Sequence, residues 1–128
     1  MPLIEIVVGL ALVQLVAFSM LVGRARGKYN IEAPATTGHE MFDRYFRVHM
    51  NTVEMIIVFI PAIYLFGKNI SEPWGAGIGA VYLIGRILFL KGYVADPKKR
   101  GLGFGLSFIP TMILLLGGLG GAICQAIK

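Results

Sequence analysis

Charge is scarce in this chain. Only 15% of its 128 residues are Asp, Glu, Lys or Arg, against about 25% in a soluble domain. So small a polar complement cannot cover a water-soluble globule of this size. With 56% hydrophobic residues, intrinsic disorder is excluded as well. Cysteine occurs once, at Cys124, which forbids an internal disulfide framework and a four-cysteine zinc site. His39 and His49 are the two histidines; no Cys–His cluster accompanies them, so no metal is expected, and His39 is expected to be a solvated loop residue. There is no internal repeat, low-complexity tail or nucleic-acid-binding motif. The net charge of +5 is therefore assigned to loops facing anionic lipid headgroups, with no nucleic acid as partner.

What the chain does have is long apolar runs, with a mean hydropathy of +0.74. At about 20 residues per crossing, its length allows at most four or five membrane helices. The expected architecture is an all-α integral membrane protein, a single four-helix membrane domain over residues 1–128. Its helices are expected at about 3–23, 40–67, 74–93 and 102–127. The first run begins with the acid Glu5 rather than a basic stretch, so it is expected to be a retained helix and not a cleaved signal peptide. Pro61 should kink the second helix. Gly117, Gly118, Gly120 and Gly121 should let the fourth pack closely. Four crossings put Arg24, Arg26, Lys28, Arg44, Arg47, Lys91, Lys98, Lys99 and Arg100 on one side and only Lys68 and Lys128 on the other. Both charged loops are thus expected to be cytoplasmic, with a bacterial inner membrane as the expected location.

The second helix carries a polar row. With Arg47 at zero, Asn51 falls near about 40°, Glu54 near about −20° and Arg44 near about 60° around the helix axis. A charge near mid-membrane costs roughly 2.5–3.5 kcal/mol, so this row must face protein or a water-filled cavity. Tyr82, Arg86, Phe89 and Tyr93 form a matching row on the third helix, at spacings of four, three and four. Arg86 is expected to pair with Glu54. Arg100 follows near the start of the fourth helix. Several cations, one acid and phenolic rings at one end of a bundle suit a small, multiply anionic ligand that also carries an ammonium group. Composition does not single out which one.

The segment from Phe42 to Glu54, FDRYFRVHMNTVE, resembles the signature of the membrane-associated proteins in eicosanoid and glutathione metabolism (MAPEG), which include microsomal glutathione transferases and leukotriene-C synthase. Ala25–Tyr29 and Pro34–Gly38 are similar to that family's first loop, and Tyr82–Arg86 and Lys91–Tyr93 to its third helix. The resemblance implies a homotrimer of four-helix subunits with glutathione bound at the subunit interfaces. It implies that Arg47, Asn51, Glu54 and Tyr93 bind glutathione, together with Arg26 and Arg86, and that His49 reaches it from a neighbouring subunit. His49 lies about 200° from Arg47 on its helix, which agrees with two subunits sharing one ligand.

By the same resemblance Arg100 stabilises the glutathione thiolate, with Tyr93 assisting. The implied activity is a glutathione transferase, with or without glutathione-dependent peroxidase activity, acting on lipophilic electrophiles or lipid hydroperoxides. Met55 and Phe89 stand where synthase-like members carry tyrosine, which points away from leukotriene synthesis. Two alternatives stay open on the sequence: a non-enzymatic lipid-binding relative, and a small four-helix multidrug exporter. The exporter would use a deep membrane acid, whereas Glu5 lies at a helix end and Glu54 has basic neighbours.

Overall fold

Asn30 ends the first helix in the left-handed conformation, with φ 57° and ψ 46°, and its N–H returns to the carbonyl of Arg26. In the computed structural model, which describes all 128 residues, this helix, α1, spans Pro2–Tyr29. It runs past the expected stop at Gly23. Arg26 and Lys28 lie in its last turn, where cations complement the negative end of the helix dipole. The second helix, α2, spans Glu40–Asn69 and is continuous through Pro61. Its N-cap is His39, whose Nδ1 accepts from the Met41 N–H at 3.0 Å, while its ring stacks on Tyr29 at 4.0 Å. His39 is exposed and precedes the helix, as expected, and it also caps it. Asp43 reaches back to accept from Thr37 Oγ1 and the Gly38 N–H, which ties the preceding loop to the start of the helix.

Only Ile70 and Ser71 separate α2 from α3, which spans Glu72–Ala95. Ser71 caps it by accepting from the Trp74 N–H, and Pro73 occupies the first turn, where its missing N–H costs nothing. A 3₁₀ turn at Pro97–Lys99 then leads into α4, Gly101–Ala126. All four helices are long and apolar enough to cross a membrane. Only 28 of the 128 residues are buried, and Val13, Met20, Ile57 and Trp74 are each more than 60% exposed. Outward faces this apolar suit lipid or neighbouring copies, not water.

α4 packs against both α2 and α3, while α1 lies over α2 and α3 and scarcely touches α4. Glycines set the closest approaches. A Cβ on Gly103 would lie 2.2 Å from the Phe89 backbone nitrogen, so α3 and α4 meet backbone to backbone there. At Gly85 it would lie 2.7 Å from the Leu106 carbonyl oxygen, the carbonyl left without its helical donor by Pro110. Of the four glycines expected to permit close packing, Gly117, Gly118 and Gly121 press on α2, whereas Gly120 faces open space.

The principal core lies away from the charged loops. Ile4, Val7, Phe59, Ile63, Phe66, Tyr82 and Leu114 belong to it, with Phe59 and Tyr82 stacked at 3.8 Å. Towards the charged loops there are only two clusters of three buried residues each. That half of the bundle has less buried apolar packing, although α3 and α4 stay in close contact there. The 30 residues of α2 span about 45 Å at 1.5 Å per residue, about 15 Å more than the hydrocarbon core is thick. The polar row near its N-terminal end can therefore sit close to the water interface rather than at mid-membrane.

Candidate functional site

In the half nearer the charged loops, a cavity of 410 Å³ opens between α2, α3 and α4. Its polar lining is Arg47, Asn51 and Glu54 from α2, Tyr93 from α3, and Arg100 at the start of α4; Met50, Phe89 and Phe104 make the apolar wall. Helical spacing explains the α2 contribution, since residues three and four apart share a face. Arg100 is placed by its turn. Asp96 accepts from the Lys98 N–H, the Lys99 N–H returns to the Asp96 carbonyl, and Arg100 Nη1 donates to the Pro97 carbonyl at 3.0 Å. Gly92 packs against the Lys99 carbonyl, which holds the turn against the end of α3.

Five of the eight residues expected at the site are thus brought together: Arg47, Asn51, Glu54, Tyr93 and Arg100. Arg86 does not line the cavity. It is fully buried behind Asn51, donating from Nη1 to Asn51 Oδ1 at 2.8 Å and Thr52 Oγ1 at 3.1 Å, and from Nε to Ser107 Oγ at 2.8 Å. Its guanidinium also lies 4.5 Å over the Phe89 ring. The expected Arg86–Glu54 ion pair is not formed. Thr52 faces α3, so Glu54, two residues and about 200° further round the helix, points away from it into the cavity.

Arg86 Nη2 has no partner, and no carboxylate offsets its charge. Ser107 was not anticipated; only its spacing of three from Pro110 on an apolar helix marked it. With Asn51 Oδ1 occupied by Arg86, the amide presents its Nδ2 donors towards the cavity.

Two expected residues lie elsewhere on the subunit. Arg26 donates to the Ala35 carbonyl at 2.7 Å and lies 4.9 Å over the Phe42 ring. His49 is half-buried on a different face of α2 from Arg47. Arg44, grouped with the cavity row by its angle, pairs instead with Glu40 and donates to the Val94 and Ala95 carbonyls, so it closes the end of α3. A polar vestibule lined by Thr37, His39, Asp43, Arg44 and Pro97 adjoins the cavity, and Arg47 and Tyr93 border both.

Chemically, the cavity offers two guanidinium groups, an amide donor, a phenol and one carboxylate beside an apolar wall. It can hold a molecule with two anionic ends and one cationic group, and place part of it against an apolar second molecule.

Comparison with known proteins shows where the chain belongs. An uncharacterized protein of Synechocystis is 46% identical over 98 residues, covering 77% of this chain and 72% of that protein. Human microsomal glutathione S-transferase 2 is 40% identical over 104 residues, covering 80% of this chain and 71% of the human protein. Bovine leukotriene C4 synthase is 31% identical over 83 residues, 65% of this chain and 55% of the synthase. Residues 4–120 match the MAPEG family, and the chain belongs to that family.

Proposed function

We propose that this protein is a membrane-bound glutathione S-transferase, with glutathione-dependent peroxidase activity as an extension of the same chemistry. The observation that carries this is the convergence of Arg47, Asn51, Glu54, Tyr93 and Arg100 on one cavity, in a chain 40% identical to a glutathione S-transferase. Glutathione has two carboxylates, one ammonium and one thiol. Arg47 and the Asn51 amide suit its carboxylates and Glu54 its ammonium. A bound carboxylate near Asn51 would also offset the unpaired charge of Arg86, whose burial without an anion is otherwise costly.

Arg100 is the residue proposed to activate the thiol. A thiol with a pKa near about 8.5 is only a few per cent ionised at pH 7. Lowering that pKa by about two units takes roughly 2.7 kcal/mol. A guanidinium about 4 Å away supplies about 4 kcal/mol at an effective dielectric of 20. The sulfur anion then attacks an electrophilic carbon of an apolar substrate, forming the S–C bond as the leaving group departs or the ring opens. With a hydroperoxide it attacks the terminal oxygen instead, breaking the O–O bond and releasing an alkoxide that takes a proton from solvent. The resulting sulfenic acid is resolved by a second glutathione to the disulfide, with loss of water. The proton lost by the thiol goes to solvent through the vestibule, and Tyr93 can donate a hydrogen bond to the sulfur.

A homotrimer completes the site: Arg26 and His49, remote from their own cavity, would be supplied to a neighbour's. In cells the protein is proposed to cross a bacterial inner membrane four times with both charged loops cytoplasmic. The direct test is ultraviolet difference absorbance of the purified protein on adding glutathione near pH 7. A thiolate band that Arg100→Ala abolishes is expected. Glutathione binding without a thiolate signal would support the non-enzymatic alternative.

A further inference from the structure

Where α1, α2 and α3 come together near the charged loops, two hollows meet around one side chain. The first, of 150 Å³, is lined by Leu21, Arg24, Ala25, Lys28, Tyr29, Met41 and Tyr45. Beside it, a hollow of 520 Å³ carries Arg44, Lys91, Leu90 and Val94 together with Leu21, Met41 and Tyr45. The three shared residues make the two one groove. Tyr45 stands in the middle, and its hydroxyl has no hydrogen-bond partner within the chain.

The groove is one-sided in charge. Arg24, Lys28 and Lys91 are exposed and in no ion pair; Arg44 alone is paired, with Glu40. Arg44 is also held in place by donating to the Val94 and Ala95 carbonyls, and its buried Nε lacks an acceptor. Below the cations the surface turns apolar. Ile84 and Ile87 share the Lys91 face of α3, at spacings of three and four, and are 56% and 45% exposed.

Cations with a phenol above an apolar strip make an amphipathic groove whose complement is an anion attached to a hydrocarbon chain. We propose that this groove binds an anionic phospholipid. Its phosphate lies among Arg24, Lys28, Arg44 and Lys91 and accepts from the Tyr45 hydroxyl, and an acyl chain follows Ile87 and Ile84. A zwitterionic headgroup is disfavoured, since the groove has no free carboxylate to meet the choline or amine. The lipid would brace the end of α3 through Arg44, next to Tyr93. The proposal does not depend on what the cavity binds, although Arg44 lines both this groove and the vestibule beside the cavity.

The test is native mass spectrometry of the full chain in a neutral maltoside detergent, with equimolar phosphatidylglycerol and phosphatidylcholine added. Wild type should retain phosphatidylglycerol preferentially. The double variant Arg24→Gln, Lys91→Gln should lose that preference by roughly tenfold or more, while Lys98→Gln, Lys99→Gln, which removes equal charge from the next loop, should keep it. Equal loss in both variants would mean diffuse attraction to a basic membrane face and would overturn the site. So would retention of phosphatidylcholine equal to that of phosphatidylglycerol. Displacement of the lipid by millimolar inorganic phosphate would show that the groove takes free phosphate, which also overturns the proposal. Should the double variant not fold, Arg24→Gln and Lys91→Gln are measured singly, each with a several-fold smaller preference expected.

Discussion

Arg86 holds Asn51 from behind: its Nη1 donates to Asn51 Oδ1 at 2.8 Å, yet only Asn51 faces the cavity. Ser107 and Thr52 hold the guanidinium in turn, each also donating its own proton to a backbone carbonyl of its helix, Gly103 and Val48 respectively. Arg86→Lys keeps the charge but not the fork. It should raise the KM for glutathione several-fold, because the Asn51 amide is no longer fixed, with a smaller change in kcat. If thermal stability falls while KM stays at the wild-type value, Arg86 only ties helices together.

Direct contacts should behave differently. Arg47→Ala and Glu54→Gln each remove a charge-assisted hydrogen bond worth roughly 1.5–3 kcal/mol, so glutathione affinity should fall by more than about tenfold in each. Isothermal titration in detergent measures it. Both side chains are exposed in the subunit, so neither change should lower the unfolding temperature appreciably. Normal affinity with a lowered unfolding temperature would make the row a structural lock.

Arg100→Ala should separate binding from chemistry. Affinity stays near wild type, while the bound thiol, deprived of its nearest cation, returns towards its ordinary pKa. A cation favours the anion and so lowers the thiol pKa; removing it moves the acid limb of the pH–rate profile to higher pH. Turnover at pH 7 should drop strongly and recover in part above pH 8. Tyr93→Phe loses one hydrogen-bond donor and should cost less. An unshifted limb in Arg100→Ala beside an inactive Tyr93→Phe would transfer the activating role to Tyr93.

Packing at the α3–α4 contact gives a stability pair. Gly103→Ala forces a Cβ against the Phe89 backbone and should destabilise by roughly 1–3 kcal/mol or more. Gly105 faces open space on the same helix, and Gly105→Ala should stabilise by about 0.5–1 kcal/mol. Thermal unfolding in detergent compares them; equal effects would mean that the helices separate freely.

The placement of Arg26 and His49 away from their own subunit's cavity leads to the fifth expectation, a homotrimer by native mass spectrometry in mild detergent. A population of monomers and dimers alone would leave those two residues without a role at the site.

Much of this architecture was legible in the chain. Hydrophobic run length gave four helices, and the three-and-four spacing of Arg47, Asn51 and Glu54 put them on one wall. What spacing could not supply was the register between helices. Phe59 stacks on Tyr82 and Thr52 faces Arg86, and that offset, set by side-chain packing, is why Arg86 meets Asn51 instead of Glu54. Angular position likewise grouped Arg44 with the cavity, because it carries no information on where α3 ends. Helix ends were read short at Gly23 and Trp74, since hydropathy stops at the first charge while backbone hydrogen bonding continues through it.

The turn between α3 and α4 has no slack. Asp96, Pro97 and Lys99 are spent on its internal bonds, and the Lys99 carbonyl is pressed on Gly92. A single residue added or removed between Asp96 and Arg100 would rotate the start of α4 by about 100° and carry the guanidinium out of the cavity. Length in this segment is thus under tighter constraint than residue identity at Lys98 or Lys99, whose side chains are exposed.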